Sequence, residues 1–181
     1  MSAGDTALLV VDVQEKLIGA VADARRTVFN TGRLIDAAGI LGLPVVATEQ
    51  YPRGLGPTLP ELAERLGEIP SKLTFSCAGC PEIFEDLVAR GMHKVLVCGI
   101  EAHVCVQQTV LDLLAGGWRT YVAVDAVSSR FEIDLRTALS RMESAGATLT
   151  TTEAALFEWC ETAGRDEFKQ ISRLVRQPVP E

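Results

Sequence analysis

The amino-acid sequence predicts a single-domain α/β fold with three layers, α/β/α, in which helices cover both faces of a mostly parallel sheet. Its 181 residues suit one domain, and 48% hydrophobic against 23% charged residues are typical of a globular chain with its own core. Short apolar segments alternate along the chain with segments of helical periodicity. This alternation is typical of right-handed βαβ units, which arrange their strands in parallel.

The strand pattern recurs in short segments that are apolar and rich in β-branched residues, as expected for strands buried on both faces. The first is the clearest, because it reads Ala-Leu-Leu-Val-Val-Asp-Val and places an acid, Asp12, at the end of an apolar run. The predicted strands are residues 7–13, 44–48, 72–75, 94–100, 119–124 and 147–150.

Helical periodicity occupies the intervals between these strands. Gly42 stands where the first helix would end, Pro81 suits the first turn of the second, and Gly116 follows the third. The predicted helices are residues 25–41, 81–89, 104–115, 133–144 and 153–160, then an amphipathic segment from Arg165 that cannot continue past Pro178 and Pro180.

The connection between residues 49 and 71 is unusually long, and its prolines and glycines leave room for one helical turn at residues 61–65. A loop of this length inside a compact domain is in most proteins either functional or disordered. We expect a domain core at about residues 6–160 and a C-terminal helix and tail at 161–181, so that residues 1–181 form one domain.

Composition disfavours several classes of function. The chain has 17 Lys and Arg against 24 Asp and Glu, a net charge of −7, and no basic run, so neither nucleic acid nor an anionic membrane is an expected partner. No apolar run approaches the roughly 20 residues of a membrane helix, and the first residues lack the basic start of a secretory signal. Five cysteines, an odd number, fit reduced thiols in the cytoplasm. The expected partner is a small-molecule substrate.

Two residues that follow predicted strands are candidates for chemistry, because ligands of open α/β sheets bind beyond the carboxyl ends of the strands, where the strand order reverses. Asp12 ends the first strand, and a buried carboxylate needs a partner. Cys105 follows the fourth strand, where the first turn of a helix favours the thiolate. The alternatives are a turn-capping acid and a cysteine that packs in the core.

Two further features near the same edge of the sheet are weaker by themselves. Lys72 lies between the long loop and the third strand, where a solvated lysine is the alternative. Residues 99–103, between the fourth strand and the next helix, are placed to offer backbone N–H groups to a developing oxyanion.

Three separated segments resemble the signature segments of the isochorismatase-like cysteine hydrolases. They are residues 9–14 (LVVDVQ), 71–76 (SKLTFS) and 99–106 (GIEAHVCV), the last followed by TVLDL at 109–113. The resemblance covers about residues 6–155, nearly the whole domain. Residues 49–58 (EQYPRGLGPT) resemble in particular the subgroup called isochorismatase domain-containing proteins.

The resemblance implies a six-stranded sheet of order 3-2-1-4-5-6, which makes the first and fourth strands neighbours, and a triad of Asp12, Lys72 and Cys105. In this triad Cys105 is the nucleophile, Asp12 is the base that passes the thiol proton to the leaving group, and Lys72 stabilises the thiolate. The resemblance also implies a cis peptide bond between Ile100 and Glu101, and an oxyanion hole formed by the N–H groups of Glu101 and Cys105. A carboxylate then replaces the histidine of a Cys-His site, in a chain with two histidines.

The expected function is therefore metal-independent hydrolysis of a C–N bond in a small amide, through a thioester on Cys105 and without a cofactor. Nicotinamidases of this family have an Asp-x-His metal site after the second strand, where this chain has Thr-Glu-Gln-Tyr at residues 48–51, so nicotinamide is disfavoured. Isochorismate, a vinyl ether, belongs to members that do not need the cysteine. The main alternative is a non-catalytic small-molecule-binding or assembly protein on the same fold. The resemblance further implies a homo-oligomer.

Polar side chains at the ends of the first two strands, and one histidine near Cys105, are candidates for the substrate pocket. Loop capping is the alternative for the former, and structural hydrogen bonding is the favoured role of the histidine. These candidates are Gln14, Glu49, Gln50, Tyr51 and His103.

Cys77 and Cys80 have the spacing of a thioredoxin-type redox pair. A redox pair would leave the acid and the lysine of the triad without a role, so a thiol-disulfide oxidoreductase ranks below the hydrolase. Cys98, within a strand, and Cys160, at a helix end, are expected to pack in the core.

Overall fold

The six strands form one sheet in the order β3-β2-β1-β4-β5-β6 in the computed structural model, which describes residues 1–178. The strands are β1 (Thr6–Val11), β2 (Val45–Gln50), β3 (Ser71–Lys72), β4 (Lys94–Ile100), β5 (Arg119–Ser128) and β6 (Thr148–Thr150). Neighbouring strands pair in parallel. The predicted fold class and strand order are confirmed. The end of the tail and Pro180 lie outside the described residues.

The helices agree with the predicted positions within a few residues, and short helical turns are added. They are α1 (Glu15–Ile18), α2 (Ala24–Leu41), α3 (Pro52–Leu55), α4 (Pro60–Ala63), α5 (Pro81–Ala89), α6 (Gln107–Ala115), α7 (Glu132–Ser144), α8 (Thr152–Cys160) and α9 (Phe168–Val175). A 3₁₀-helix spans Cys77–Gly79, and a π-helix spans Ala102–Val106. Within residues 1–178, no helix has both the length and the apolarity to cross a membrane.

The two faces of the sheet are covered by different helices, and β1 shows why. Every residue of β1 is buried, and successive side chains point to opposite faces. Leu8 and Val10 pack in one cluster with residues of α2, α8 and α9, whereas Leu9 and Val11 pack in another with residues of α6 and α7. A strand buried on both sides can be continuously apolar, so β1 carries no alternating pattern.

Several predicted segments are wrong in their extent. β1 ends at Val11 instead of residue 13, and β5 continues to Ser128 instead of ending at residue 124. β3 pairs with β2 only through Ser71 and Lys72, because the carbonyls of Thr74 and Phe75 turn inward to the Lys72 ammonium instead of continuing the strand. β2 continues to Gln50, so the long connection begins two residues later than predicted. That connection contains two short helices, α3 and α4, each opened by a proline, rather than one helical turn.

Candidate active site

The three residues of the predicted triad lie together at the carboxyl ends of the strands. Asp12 follows β1, Lys72 ends β3, and Cys105 lies in the π-helix after β4. Lys72 Nζ is 2.6 Å from Asp12 Oδ2, and the Cys105 thiol is within hydrogen-bonding reach of the same carboxylate. The site therefore occupies the crevice between β1 and β4, where the strand order reverses.

The backbone of β2 holds Asp12 in an uncommon conformation. Asp12 has a φ of +51°, in the left-handed region that Asp tolerates better than most residues. Its N–H donates to the Thr48 carbonyl at 3.2 Å, and its Oδ1 accepts a hydrogen bond from Thr48 Oγ1 at 2.8 Å. The turn after β1 thus directs the carboxylate into the crevice instead of letting the strand continue.

Gly99 allows β1 and β4 to approach each other beside the site. It pairs with Val11, the residue before Asp12, and has a φ of +114°. A Cβ atom at position 99 would lie 2.1 Å from the Val11 carbonyl oxygen. Because backbone cannot move aside as a flexible side chain can, any residue other than glycine would displace the strand end that carries Asp12.

Lys72 crosses the end of β2 to reach Asp12, two strands away in the sheet. Its ammonium also donates to Gln50 Oε1 at 3.0 Å and to the Phe75 carbonyl at 2.9 Å. An ammonium has three donors, so these acceptors and Asp12 satisfy the charge although the side chain is only 1% exposed. The alternative of a solvated lysine is wrong.

The protonation of the site is controlled by burial. Burial raises the pKa of Asp12, and the Lys72 charge and hydrogen bonds to its carboxylate act in the opposite direction. Burial also raises the pKa of the Cys105 thiol, the Asp12 charge adds to this effect, and Lys72 opposes it. Our expectation that the helix start favours the thiolate is wrong, because Cys105 is 5% exposed and faces a carboxylate. A thiol whose pKa is raised in this way needs a base before it can act as a nucleophile.

Cys77 belongs to the surroundings of the triad rather than to a pair with Cys80. Its Sγ is 3.3 Å from Thr48 Oγ1, whereas Cys80 packs in a separate cluster with Ile83 and Leu87. All five thiols are unpaired. The position of Thr48 near Asp12 could have been predicted, because Thr48 ends a predicted strand at the same edge of the sheet as Asp12. No feature of the sequence indicated that Cys77 lies near the triad.

The pocket candidates at the ends of β1 and β2 hold the loop in place. Gln14 is fully buried; its Nε2 donates to the carbonyls of Gln50 and Gly56, and its Oε1 accepts from the Gln50 N–H at 2.8 Å. Glu49 Oε1 accepts from the Thr58 N–H at 2.6 Å. These contacts favour the loop-capping alternative for Gln14 and Glu49.

The other candidates have different positions. Gln50 accepts from Lys72 and donates to the Leu73 carbonyl at 2.9 Å, so it orients the lysine. Tyr51 is half-exposed and has a φ of +39°. His103 Nδ1 is 3.0 Å from Ser129 Oγ, which is the structural hydrogen bonding that we favoured.

The segment between β4 and Cys105 contains the residues that we predict to form an oxyanion hole, Glu101 and Cys105. The peptide bond between Ile100 and Glu101 is cis. The Glu101 carbonyl accepts from the N–H of Val106 at 3.2 Å, and the Glu101 carboxylate accepts from Arg130 Nε at 3.1 Å. The sequence had not singled out Arg130, which follows the end of β5.

No group of three or more His, Cys, Asp or Glu side chains in residues 1–178 is arranged to hold a metal ion. A groove of about 730 Å³ lies away from Cys105, on the α2 side of the fold. It is lined mainly by residues of α2, among them Phe29 and Arg33, and also by Arg65, which follows α4. The residues of the triad do not line this groove.

Residues 6–154 match the Isochorismatase domain family. The chain belongs to this family. The isochorismatase-like fold family includes cysteine hydrolases. Isochorismatase domain-containing protein 2 of Bos taurus is 41% identical over 179 residues, which cover 98% of this chain and 86% of the relative.

Solved structures of isochorismatase-like proteins share the fold of this chain. A structure from Caenorhabditis elegans named MAR1 ribonuclease is 41% identical with a TM-score of 0.93, and the match covers 100% of this chain and 94% of the other. The YcaC gene product of Escherichia coli, described as an octameric hydrolase of unknown specificity, is 26% identical with a TM-score of 0.89, with 96% and 88% covered.

Proposed function

We propose that this protein is a metal-independent cysteine hydrolase that cleaves the C–N bond of a small amide through a thioester on Cys105. One observation carries the proposal: the Asp12 carboxylate contacts both the Lys72 ammonium, at 2.6 Å, and the Cys105 thiol in a crevice almost closed to solvent. Acyl transfer requires a nucleophile, a base and a group that stabilises negative charge, and Cys105, Asp12 and Lys72 are of these three types.

In the first half of the reaction, Asp12 takes the proton of the Cys105 thiol while the sulfur attacks the amide carbonyl carbon. The N–H groups of Glu101 and Cys105 stabilise the oxyanion of the tetrahedral intermediate. Asp12 then gives its proton to the amide nitrogen, the C–N bond breaks, and the amine leaves. The acyl group remains on the sulfur as a thioester.

In the second half, a water molecule replaces the amine. Asp12 removes a proton from the water as its oxygen attacks the thioester carbonyl, and the same proton returns to the sulfur when the C–S bond breaks. The carboxylic acid is released, and Cys105 is again a thiol. Lys72 keeps Asp12 ionised between the steps and stabilises negative charge on the sulfur.

Iodoacetamide alkylation followed by peptide mapping tests the nucleophile. We expect Cys105 to be modified first, because its thiol lies against the Asp12 carboxylate, which can take the proton as the sulfur reacts. Selective alkylation of the other thiols, with Cys105 unmodified, would contradict the proposal.

A panel of small primary and secondary amides tests the reaction. Native protein should release amine and form an acyl adduct on Cys105 that mass spectrometry detects after acid quenching. Cys105→Ala should abolish both signals, while Cys98→Ala, which removes a buried thiol outside the site, should retain them. Equal rates for native protein and Cys105→Ala would favour the non-catalytic binding or assembly role.

RNA is a second candidate substrate, because the 41% identical protein from C. elegans is named a ribonuclease. The net charge of −7 opposes this function, since RNA binding depends on cationic neutralisation of phosphates. Incubation of a labelled single-stranded RNA with native protein and Cys105→Ala decides the point. Cleavage by native protein alone would make RNA the substrate.

We also propose that the chain forms a homo-oligomer, as the octameric YcaC relative does. Light scattering coupled to size-exclusion chromatography measures this directly. A mass equal to the 19.5 kDa of one chain would contradict it.

A further inference from the structure

We propose that Thr48 and Cys77 are positioning residues for Asp12: the Cys77 thiol donates a hydrogen bond to Thr48 Oγ1, and the Thr48 hydroxyl donates to Asp12 Oδ1. The inference rests on the proposed function and deepens it, because it assigns control of the catalytic base to two residues outside the triad. Both residues are almost fully buried, at 1% and 0% exposure.

The direction of the two hydrogen bonds follows from counting protons. Thr48 Oγ1 is 2.8 Å from Asp12 Oδ1 and 3.3 Å from Cys77 Sγ. The Lys72 ammonium, 2.6 Å from Asp12 Oδ2, favours the ionised carboxylate, which only accepts hydrogen bonds, so the single hydroxyl proton of Thr48 is directed to Asp12. The contact with sulfur then requires the thiol to be the donor. Burial raises the pKa of Cys77 to about 11, so the thiol retains its proton at neutral pH.

Backbone contacts fix the positions of both residues. Thr48 pairs with Val11 in the sheet, which places it beside the turn that carries Asp12. The Cys77 N–H donates to Thr109 Oγ1 at 2.9 Å, and Thr109 lies in α6, directly after the π-helix that contains Cys105. The arrangement therefore connects the helix of the nucleophile with the base.

The two oxygens of Asp12 have separate partners. Lys72 holds Oδ2 and Thr48 holds Oδ1, so the carboxylate cannot rotate without breaking a buried hydrogen bond. Titratable or charged groups that act on Asp12 are Lys72, Cys105 and Cys77, with Cys80 farther away. A hydrogen bond to the ionised form lowers the pKa of a carboxylate, and a donor to the hydroxyl strengthens that bond.

Raman spectroscopy of the S–H stretch tests the donor role of Cys77 without any substrate. The Cys77 band is identified by its loss in Cys77→Ser. We expect it to move to higher frequency in Thr48→Val, which removes the acceptor, while the band of Cys98 stays unchanged. A Cys77 band that does not move in Thr48→Val would overturn the proposal.

The titration of Asp12 tests the effect on the base. The carboxyl carbon of Asp12 is followed by NMR in the full-length protein with labelled aspartate, and assigned with Asp12→Asn. Thr48→Val should raise the pKa of Asp12 by about one unit. Cys77→Ala should raise it by less, and Cys77→Ser should restore it, because a hydroxyl can donate in place of the thiol. Cys98→Ala, a buried thiol outside the site, should leave it unchanged.

The outcomes separate this proposal from the proposed function. An unchanged pKa of Asp12 in both Thr48→Val and Cys77→Ala overturns the positioning role, even if amide hydrolysis is found. Both spectral effects in a protein that hydrolyses no amide support the positioning role and remove the hydrolase. If Thr48→Val does not fold, Cys77→Ala and Cys77→Ser carry the test, and equal pKa values of Asp12 in these two variants would overturn it.

Discussion

Two carboxylates inside the fold, Asp12 and Asp125, each accept a hydrogen bond from a threonine hydroxyl, yet their surroundings give them different roles. Asp125 Oδ1 accepts from both the N–H and the hydroxyl of Thr152, at 2.8 and 3.0 Å. Thr152 begins α8, so Asp125 stabilises the start of a helix. Asp12 instead meets side chains from three separate segments, those of Thr48, Lys72 and Cys105, and the last of these is a thiol. A carboxylate satisfied by one helix start is structural, whereas one shared by a cation and a thiol can move protons.

The strongest test of this comparison replaces each acid by its amide. Asp12→Asn should lower kcat/KM for amide hydrolysis by at least about 10³-fold, because no group remains to carry the proton from sulfur to nitrogen. The pKa of Cys105 should fall in the same variant, since the negative charge that raises it is gone. Asp125→Asn should change kcat/KM by no more than about twofold.

Steady-state assays and the pH dependence of Cys105 alkylation measure these two effects. Equal losses of activity in Asp12→Asn and Asp125→Asn would remove the distinction between the two acids.

The next test uses two lysine–aspartate ion pairs that have the same N–O distance. Lys72–Asp12 and Lys94–Asp5 both have a distance of 2.6 Å, but only the first is fully buried. Lys72→Met should reduce the free energy of unfolding by about 3–5 kcal/mol at neutral pH, because it leaves a buried charge without a partner. Lys94→Met should cost about 1 kcal/mol or less, because its pair is partly exposed.

The two variants should also differ in their pH dependence. The pKa of Asp12 is raised by burial and rises further without Lys72, so the folded variant binds a proton that the unfolded chain lacks, and it regains stability as the pH falls from about 8 to 5. Partial burial alone would raise the pKa of Asp5, but Lys94 lowers it, so the stability linked to that pair is constant between about pH 8 and 5 and is lost only at more acidic pH. Lys94→Met should therefore differ from native protein by the same amount at both pH values. Urea unfolding of both variants at about pH 8 and pH 5 measures the difference. Parallel pH dependences would contradict it.

Removal of the Thr152 hydroxyl should affect stability alone. Thr152→Val should lower the free energy of unfolding by about 1–2 kcal/mol, since it removes one hydrogen bond to a partly buried carboxylate. Amide hydrolysis and the reactivity of Cys105 should remain within about twofold of native. Thermal unfolding and the alkylation rate test this, and a large loss of reactivity would place Asp125 among the residues that serve the site.

The smallest effect is expected at the exposed Asp36–Arg65 pair, whose N–O distance is 3.1 Å. Arg65→Gln should change the free energy of unfolding by about 1 kcal/mol or less, and high salt should remove the difference. Urea unfolding at low and high salt measures it. A cost as large as that of Lys72→Met would show that burial does not separate the two classes of ion pair.

Much of the fold could be predicted because its signals are local. The apolar run of β1, the glycine after α2 and the proline that opens α5 each act within a few residues of the chain. β3 could not be predicted correctly, because its end depends on Lys72 drawing the carbonyls of Thr74 and Phe75 toward its ammonium. The position of that ammonium is set by Asp12 and Gln50, which are distant in the sequence, so residues 72–75 alone do not indicate where the strand ends.

The sequence by itself determined the alternation of strands and helices, the acid at the end of β1, and the segments that resemble isochorismatase-like hydrolases. Only the tertiary structure decided which side chains meet. Asp12 and Lys72 are 60 residues apart in the sequence. They touch because only one strand, β2, lies between β1 and β3 in the sheet. Burial, not sequence neighbourhood, sets the pKa of Cys105, because desolvation depends on every group that packs around the sulfur. Gln14 and Cys77 take their roles from long-range contacts for the same reason.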